Sequence, residues 1–128
     1  MTAARLLLPL SLALLAACAD LAPAQRARLL VRINSEGSPW FAADLQALAQ
    51  LTGQGLAGAV VPKAEHAPTL QAVAQSAGPQ AALVALVESV AGLTAADALA
   101  AAPQVVRLAF GHLDFQVDAG MACGETEE

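Results

Sequence analysis

The sequence predicts an α/β protein built around a parallel sheet of about four βα units. Three observations predict it. Short apolar runs of strand length alternate with amphipathic stretches of helix length. Gly or Pro punctuates almost every junction. An acidic residue stands at or just beyond the end of two apolar runs, Glu88 after residues 82–87 and Asp114 after residues 105–110. In sheets of βα units those strand ends converge on one face.

Residues 28–34 (RLLVRIN) read as the first strand. Residues 38–51 read as the first helix, with Ser38 as N-cap, Pro39 at the first helical position and Leu45, Leu48 and Leu51 at helical spacing. Gly53 and Gly55 end it. Residues 57–61 (AGAVV) form a second strand closed by Pro62. Residues 66–77 form a second helix, with Leu70, Val73 and Ala74 on one side and Gly78-Pro79 as the stop. Residues 82–87 are the third strand. Residues 92–101 are a third helix, with Thr94 as a cap and Pro103 as terminator. Residues 105–110 are the fourth strand, closed by Gly111.

Strands that alternate with helices in this way imply right-handed βαβ units. Their near-continuous apolar character is that of strands buried on both faces. A complete (β/α)8 barrel takes about 250 residues, so a chain of 128 holds about half of one. Four parallel strands leave two open edges, which calls for a partner. The expected division is an apolar leader over residues 1–22, a partial barrel domain over 23–122 and an acidic tail over 123–128. No GxGxxG or Walker loop is present, so dinucleotide and nucleoside triphosphate binding have no support.

The hydrophobic fraction of 57% with only 13% charged residues implies surfaces meant to be covered. A net charge of −5 argues against nucleic acid as a partner, because phosphate binding needs clustered Lys and Arg. Glu125, Glu127 and Glu128 place much of that charge at the end of the chain. Cys18 and Cys123 lie far apart, in neither a zinc pattern nor a disulfide framework.

Arg5 is followed by an apolar run that ends Leu15-Ala16-Ala17-Cys18. The run is too short to span a bilayer, which takes about 20 apolar residues. It has the anatomy of a secretory signal with a lipoprotein-type box at Cys18, and equally that of an Ala/Leu-rich helix of the fold or of a stretch translated from a misplaced start or out of frame. Only lipidation of Cys18 would bring a membrane into play.

Strand alternation sorts the chemistry-bearing residues. Leu30, Arg32 and Asn34 share one face of the first strand, opposite Leu29, Val31 and Ile33. Arg32 therefore takes a position normally apolar and needs an anionic partner. That partner is either an acid on a neighbouring strand, such as Glu88, or a substrate carboxylate or carbonyl. Glu88 shares a face with Val84 and Leu86 and puts charge at the C-terminal end of its strand. Asp114 is either its companion or an N-cap of the next helix. Two carboxylates suffice for Mg²⁺, which fills its octahedron with water and substrate oxygens. Lys63, the only lysine, either binds phosphate or carboxylate or pairs with Glu65 at the rim. His66 and His112 are isolated, so no transition-metal set is evident.

The series VRIN (31–34), SPW (38–40), VVPKAE (60–65), LVES (86–89) and LAFGHLD (108–114) resembles the citrate lyase β-subunit-like group of the HpcH/HpaI aldolase family. The resemblance runs from about Pro23 to about Cys123. It implies a (β/α)8 TIM barrel, of which these strands are the third to sixth, and Mg²⁺-dependent carbon–carbon cleavage of a CoA thioester of the citryl-CoA or malyl-CoA type. It further implies Arg32 as the substrate-binding, catalytic arginine, and Glu88 and Asp114 as the metal ligands. The Val-Pro-Gly and Leu-Glu-Asp motifs of the family's first strands are absent. The expectations are then a truncated lyase with little activity alone, or a partial barrel completed by a second copy or a partner chain. CoA-thioester chemistry places it in the cytoplasm; the alternative is an exported lipoprotein anchored through Cys18.

Overall fold

The computed structural model describes residues 16–121. Most of the apolar leader, and Cys123 with the acidic tail, lie outside the described residues. From Pro23 onward the order is α1 (Pro23–Arg26), β1 (Leu30–Arg32), α2 (Phe41–Gly53), β2 (Gly58–Val61), α3 (Ala67–Ala77), β3 (Ala82–Val87), α4 (Val90–Thr94), α5 (Ala96–Ala101), β4 (Val105–Phe110) and α6 (His112–Ala119). The strands pair side by side in chain order, β1-β2-β3-β4, all parallel. This is the α/β architecture read from the sequence, an arc of a barrel with free edges at β1 and β4.

One face of the arc is covered. Val31 and Ile33, Ala59 and Val61, and Leu83, Ala85 and Val87 are buried there, under Leu48 and Leu51 of α2, Leu70, Val73 and Ala77 of α3 and Leu99 of α5. The other face carries Arg32, Val60, Val84 and Leu86 and is only partly buried. Burial on both faces, implied by the apolar strands, is thus half realised: helices supply one layer, and nothing in the described chain covers the other.

The helix layer thins toward β4. Leu108 and Phe110 pair with Ala85 and Val87, placing them on the helix side. They are nevertheless exposed, as are Val106 of the same strand and Leu113 and Val117 of α6. No residue of α6 is buried. The ring of Phe115 holds this helix against Phe110 with centroids 4.9 Å apart.

Local chemistry moved three helix boundaries. α2 starts at Phe41 behind Trp40, an N-cap with no side-chain hydrogen bond. The Ser38 hydroxyl instead accepts from the Trp40 N–H at 3.2 Å, forming a turn that delays the helix. The single helix anticipated over 92–101 is two short ones. Ser89 caps the first by accepting from the Gly92 N–H at 3.1 Å. Thr94 is no cap; its hydroxyl donates back to the Val90 carbonyl, and Ala95 (φ −88°, ψ 5°) interrupts the helix. Asp114 is likewise no N-cap, since Gly111 holds that position and Asp114 lies inside the first turn of α6.

Candidate functional site

The C-terminal ends of β2 and β3 and the first turns of α6 meet around a cleft of about 300 Å³, lined by Lys63, Glu65, Glu88, Ser89, Asp114, Val117 and Asp118. Backbone contacts continue the sheet into this region. The Ala64 N–H donates to the Leu86 carbonyl at 2.9 Å, and the Gly111 N–H to the Val87 carbonyl at 2.8 Å. Glu88 therefore leaves β3 between two neighbouring strand ends that are fixed against it.

Lys63 contributes its backbone first. Its φ of 49° is left-handed, an uncommon state for a residue with a side chain. Its N–H donates to Glu88 Oε2 at 2.9 Å. This contact leaves Glu88 Oε1 for other use. Gly111 makes the room: a Cβ there would lie 2.6 Å from Glu88 Cγ and 2.8 Å from Oε1. Gly92 does the same behind the cleft, where a Cβ would lie 2.5 Å from the Ala64 carbonyl oxygen. The first turn of α4 can then seat directly on the β2 loop.

Two further polar contacts tie the loops. Ser89, buried, donates from its hydroxyl to Glu65 Oε1 at 2.8 Å while accepting from Gly92. Asp118 Oδ2 accepts from the Val90 N–H at 2.8 Å. Glu65 is committed to Ser89 and lies 4.0 Å from His66 Nε2, so the rim pair with Lys63 suggested by the sequence does not form.

The structure thus brings Lys63, Glu88 and Asp114 to one cleft and leaves Arg32 outside it. Arg32 is exposed, and among the described residues it forms no ion pair. The expected buried guanidinium does not occur, because the open face of the arc places it in solvent. Glu88 is not its partner either, being engaged by the Lys63 N–H. Register places Arg32, Val60, Val84 and Arg107 in one row across the sheet. Glu88 lies four residues beyond Val84, about 13 Å further along the strand. Arg32 therefore faces the open concavity below the carboxylates, and Arg107 occupies the same row at the opposite edge.

Sequence reasoning passed over Asp44, which is fully buried. Its Oδ2 accepts from the Asn34 backbone N–H at 2.7 Å and from Asn34 Nδ2 at 3.0 Å. It pins the end of β1, with the VRIN segment, to α2. The available signal was its place in the stripe 44, 48, 51, where a carboxylate sits among buried leucines.

Among the described residues no group of three or more His, Cys, Asp or Glu side chains is arranged to hold a metal. Two carboxylates with space between loops suit a hard, oxygen-seeking cation such as Mg²⁺ or Mn²⁺ that keeps its waters, and not a softer metal that wants His or Cys ligands. No helix of the described residues is long and apolar enough to cross a membrane.

Fold and cleft together define a class, a barrel-type βα scaffold with paired acids at the C-terminal strand ends. Comparison with known proteins makes this specific: the family model for HpcH/HpaI aldolase/citrate lyase matches residues 2–127, and the chain belongs to that family. The match takes in residues read as leader and as tail. Among solved structures, CitE from Mycobacterium tuberculosis in complex with magnesium, acetoacetate and coenzyme A is 33% identical, with a TM-score of 0.65 over 84% of this chain and 36% of its own. RipC from Yersinia pestis is 31% identical, with a TM-score of 0.66 over 78% of this chain and 48% of its own. The citrate lyase β subunit from M. tuberculosis, complexed with oxaloacetate and magnesium, is 34% identical, with a TM-score of 0.61 over 80% and 41%. The chain spans less than half the length of each. No curated protein gives a match.

Proposed function

We propose that this chain carries the metal-binding half of a Mg²⁺-dependent carbon–carbon lyase site acting on CoA thioesters of the citryl-CoA or malyl-CoA type. The observation that carries the reading is the Glu88–Asp114 pair in one cleft, with Glu88 Oε2 engaged by the Lys63 N–H and Oε1 left free beside Gly111. Membership of the family, and the magnesium, CoA and oxo-acid complexes of its relatives, support it. Glu88 and Asp114 would hold the cation, and Mg²⁺ bound there would supply a Lewis acid for the oxygen next to the scissile bond.

The chain's own residues then divide the remaining work. The Lys63 N–H orients Glu88 and fixes which oxygen faces the cleft. The Lys63 side chain, exposed at the rim, offers a cation for a substrate carboxylate or phosphate. Arg32, on the concave face, binds negative charge that grows on the substrate as the carbon–carbon bond breaks. Asp44 keeps Arg32 in place by holding the end of β1. No residue of the described chain is assigned as general base.

A second reading is carried by the bare outer side of β4 and by the free edges of the sheet. The arc requires a covering partner, either further barrel units or another chain, before it can exclude water from an enolate. The chain alone then has little lyase activity. Lipid anchoring through Cys18 is disfavoured: its side chain packs against the core, a place a lipidated thioether would have to vacate.

Calorimetric titration of Mg²⁺ tests the first reading. Binding that disappears in both Glu88→Gln and Asp114→Asn supports it; binding that survives both rejects it. Substantial cleavage of malyl-CoA or citryl-CoA by the purified chain rejects the requirement for a partner.

A further inference from the structure

Glu88 and Asp114 belong to different elements, and something must hold the two at working distance. Packing does little of this. α6, which carries Asp114, buries no residue, and Leu113 and Val117 are 68% and 84% exposed. Its contact with the sheet is the Phe110–Phe115 ring pair on one side. On the side that faces the cleft, one polar contact joins α6 to the chain just after Glu88: Asp118 Oδ2 accepts from the Val90 N–H at 2.8 Å. Asp118 is one turn beyond Asp114, so both carboxylates leave the same face of the helix. Val90 is two residues beyond Glu88 on the same backbone.

We infer that Asp118 is a positioning residue: by clamping α6 to the Val90 amide it sets the placement of Asp114 relative to Glu88. This rests on the proposed reading of that pair as a cation site. Two hydrogen bonds join the segments that carry the acids: the Gly111 N–H to the Val87 carbonyl at 2.8 Å fixes the start of α6, and the Asp118 bond holds its next turn. Asp114 lies between these two bonds, so a shift of the Asp118 turn moves it relative to Glu88. Ser89 and Glu65 stiffen the same turn from behind but do not reach α6. Asp118 Oδ2 is engaged by the amide, and the role inferred for it is acceptance of that hydrogen bond.

Two variants separate that role from charge. Asp118→Asn keeps an oxygen that can accept from the Val90 N–H and removes the charge. Asp118→Ala removes both. Titration of Mn²⁺, followed by paramagnetic resonance, reads cation affinity in the full chain. Amide hydrogen exchange in the metal-free chain reads the clamp itself. The expected result is wild-type Mn²⁺ affinity in D118N and at least about tenfold weaker binding in D118A, the size of loss that follows removal of a group supporting a metal ligand. Exchange at Val90 and through α6 accelerates only in D118A. Equal loss in both variants would overturn the inference and make the carboxylate a direct partner of the cation. Unchanged Val90 exchange in D118A would overturn it as well. A wild-type chain that binds no Mn²⁺ defeats the proposed function instead; the clamp then stands or falls on the exchange result alone.

Discussion

Glu88 and Gly111 are complementary in volume: the carboxylate at the end of β3 occupies the space that a side chain at the start of α6 would need. A Cβ at 111 would meet Glu88 Cγ at 2.6 Å and Oε1 at 2.8 Å, inside any real contact distance. The small residue between β4 and α6 thus belongs to the acidic cleft although it has no functional group.

Gly111→Ala is expected to push Glu88 aside. Cation affinity falls by about 10- to 100-fold, as when the support of a ligand is lost. Stability falls by about 1–3 kcal/mol, the cost of overpacking. Mn²⁺ titration and denaturant unfolding measure the two effects. A variant with unchanged affinity would show that Glu88 has other room to move.

Glu88→Gln and Asp114→Asn should separate binding from folding. Both side chains are at least partly exposed, and Gln can still accept from the Lys63 N–H. Unfolding free energy should stay within about 0.5 kcal/mol of the wild type, while Mg²⁺ binding is lost. Loss of stability by several times that amount would assign the pair a structural role.

Asp44→Ala should do the reverse. It removes the acceptor of the Asn34 N–H at a buried site, a loss of about 2–3 kcal/mol for hydrogen bonds to a charged group. Urea unfolding measures it. Mg²⁺ binding at the far strand ends should persist under conditions where the variant remains folded.

The bare outer side of β4 and α6 predicts adhesion. Val106 and Leu113, 61% and 68% exposed, are large apolar side chains left in solvent. Val106→Lys with Leu113→Lys should reduce binding of an apolar fluorescent dye and lower the sedimentation coefficient of any self-associated form. Unchanged dye binding would place the adhesive surface elsewhere, on the concave face.

β3 and β4 were legible in the sequence to the residue because continuous apolar runs there end in unambiguous signals, Glu88-Ser89 and Gly111. β1 was overextended, since RLLVRIN is apolar enough for seven residues but pairs over three. Helix starts were less legible: Ser38 and Thr94 look like caps, and the choice between Thr94 and Ser89 depends on where the chain leaves the sheet. That Glu88 and Asp114 come to one cleft could be read from position alone. The exposure of Arg32 could not, because it follows from what does not cover it. Arg107 escaped for a different reason: the register slips between Leu83 and Val84, so that Val84 faces Arg107 rather than Val106. Such an irregularity reverses the inside–outside parity of a strand without leaving a mark in its composition.

The sequential order of the sheet has a further consequence. Each βα unit touches mainly the unit before and the unit after it, so the arc behaves as a short linear array whose end members open most easily. β4 with α6 is such an end member, and it carries one of the two carboxylates; the other stands on the interior unit. A divalent ion bridging Glu88 and Asp114 would therefore act as a rivet between a stable unit and a fraying one. Occupancy of the cleft and closure of the β4–α6 unit would rise and fall together.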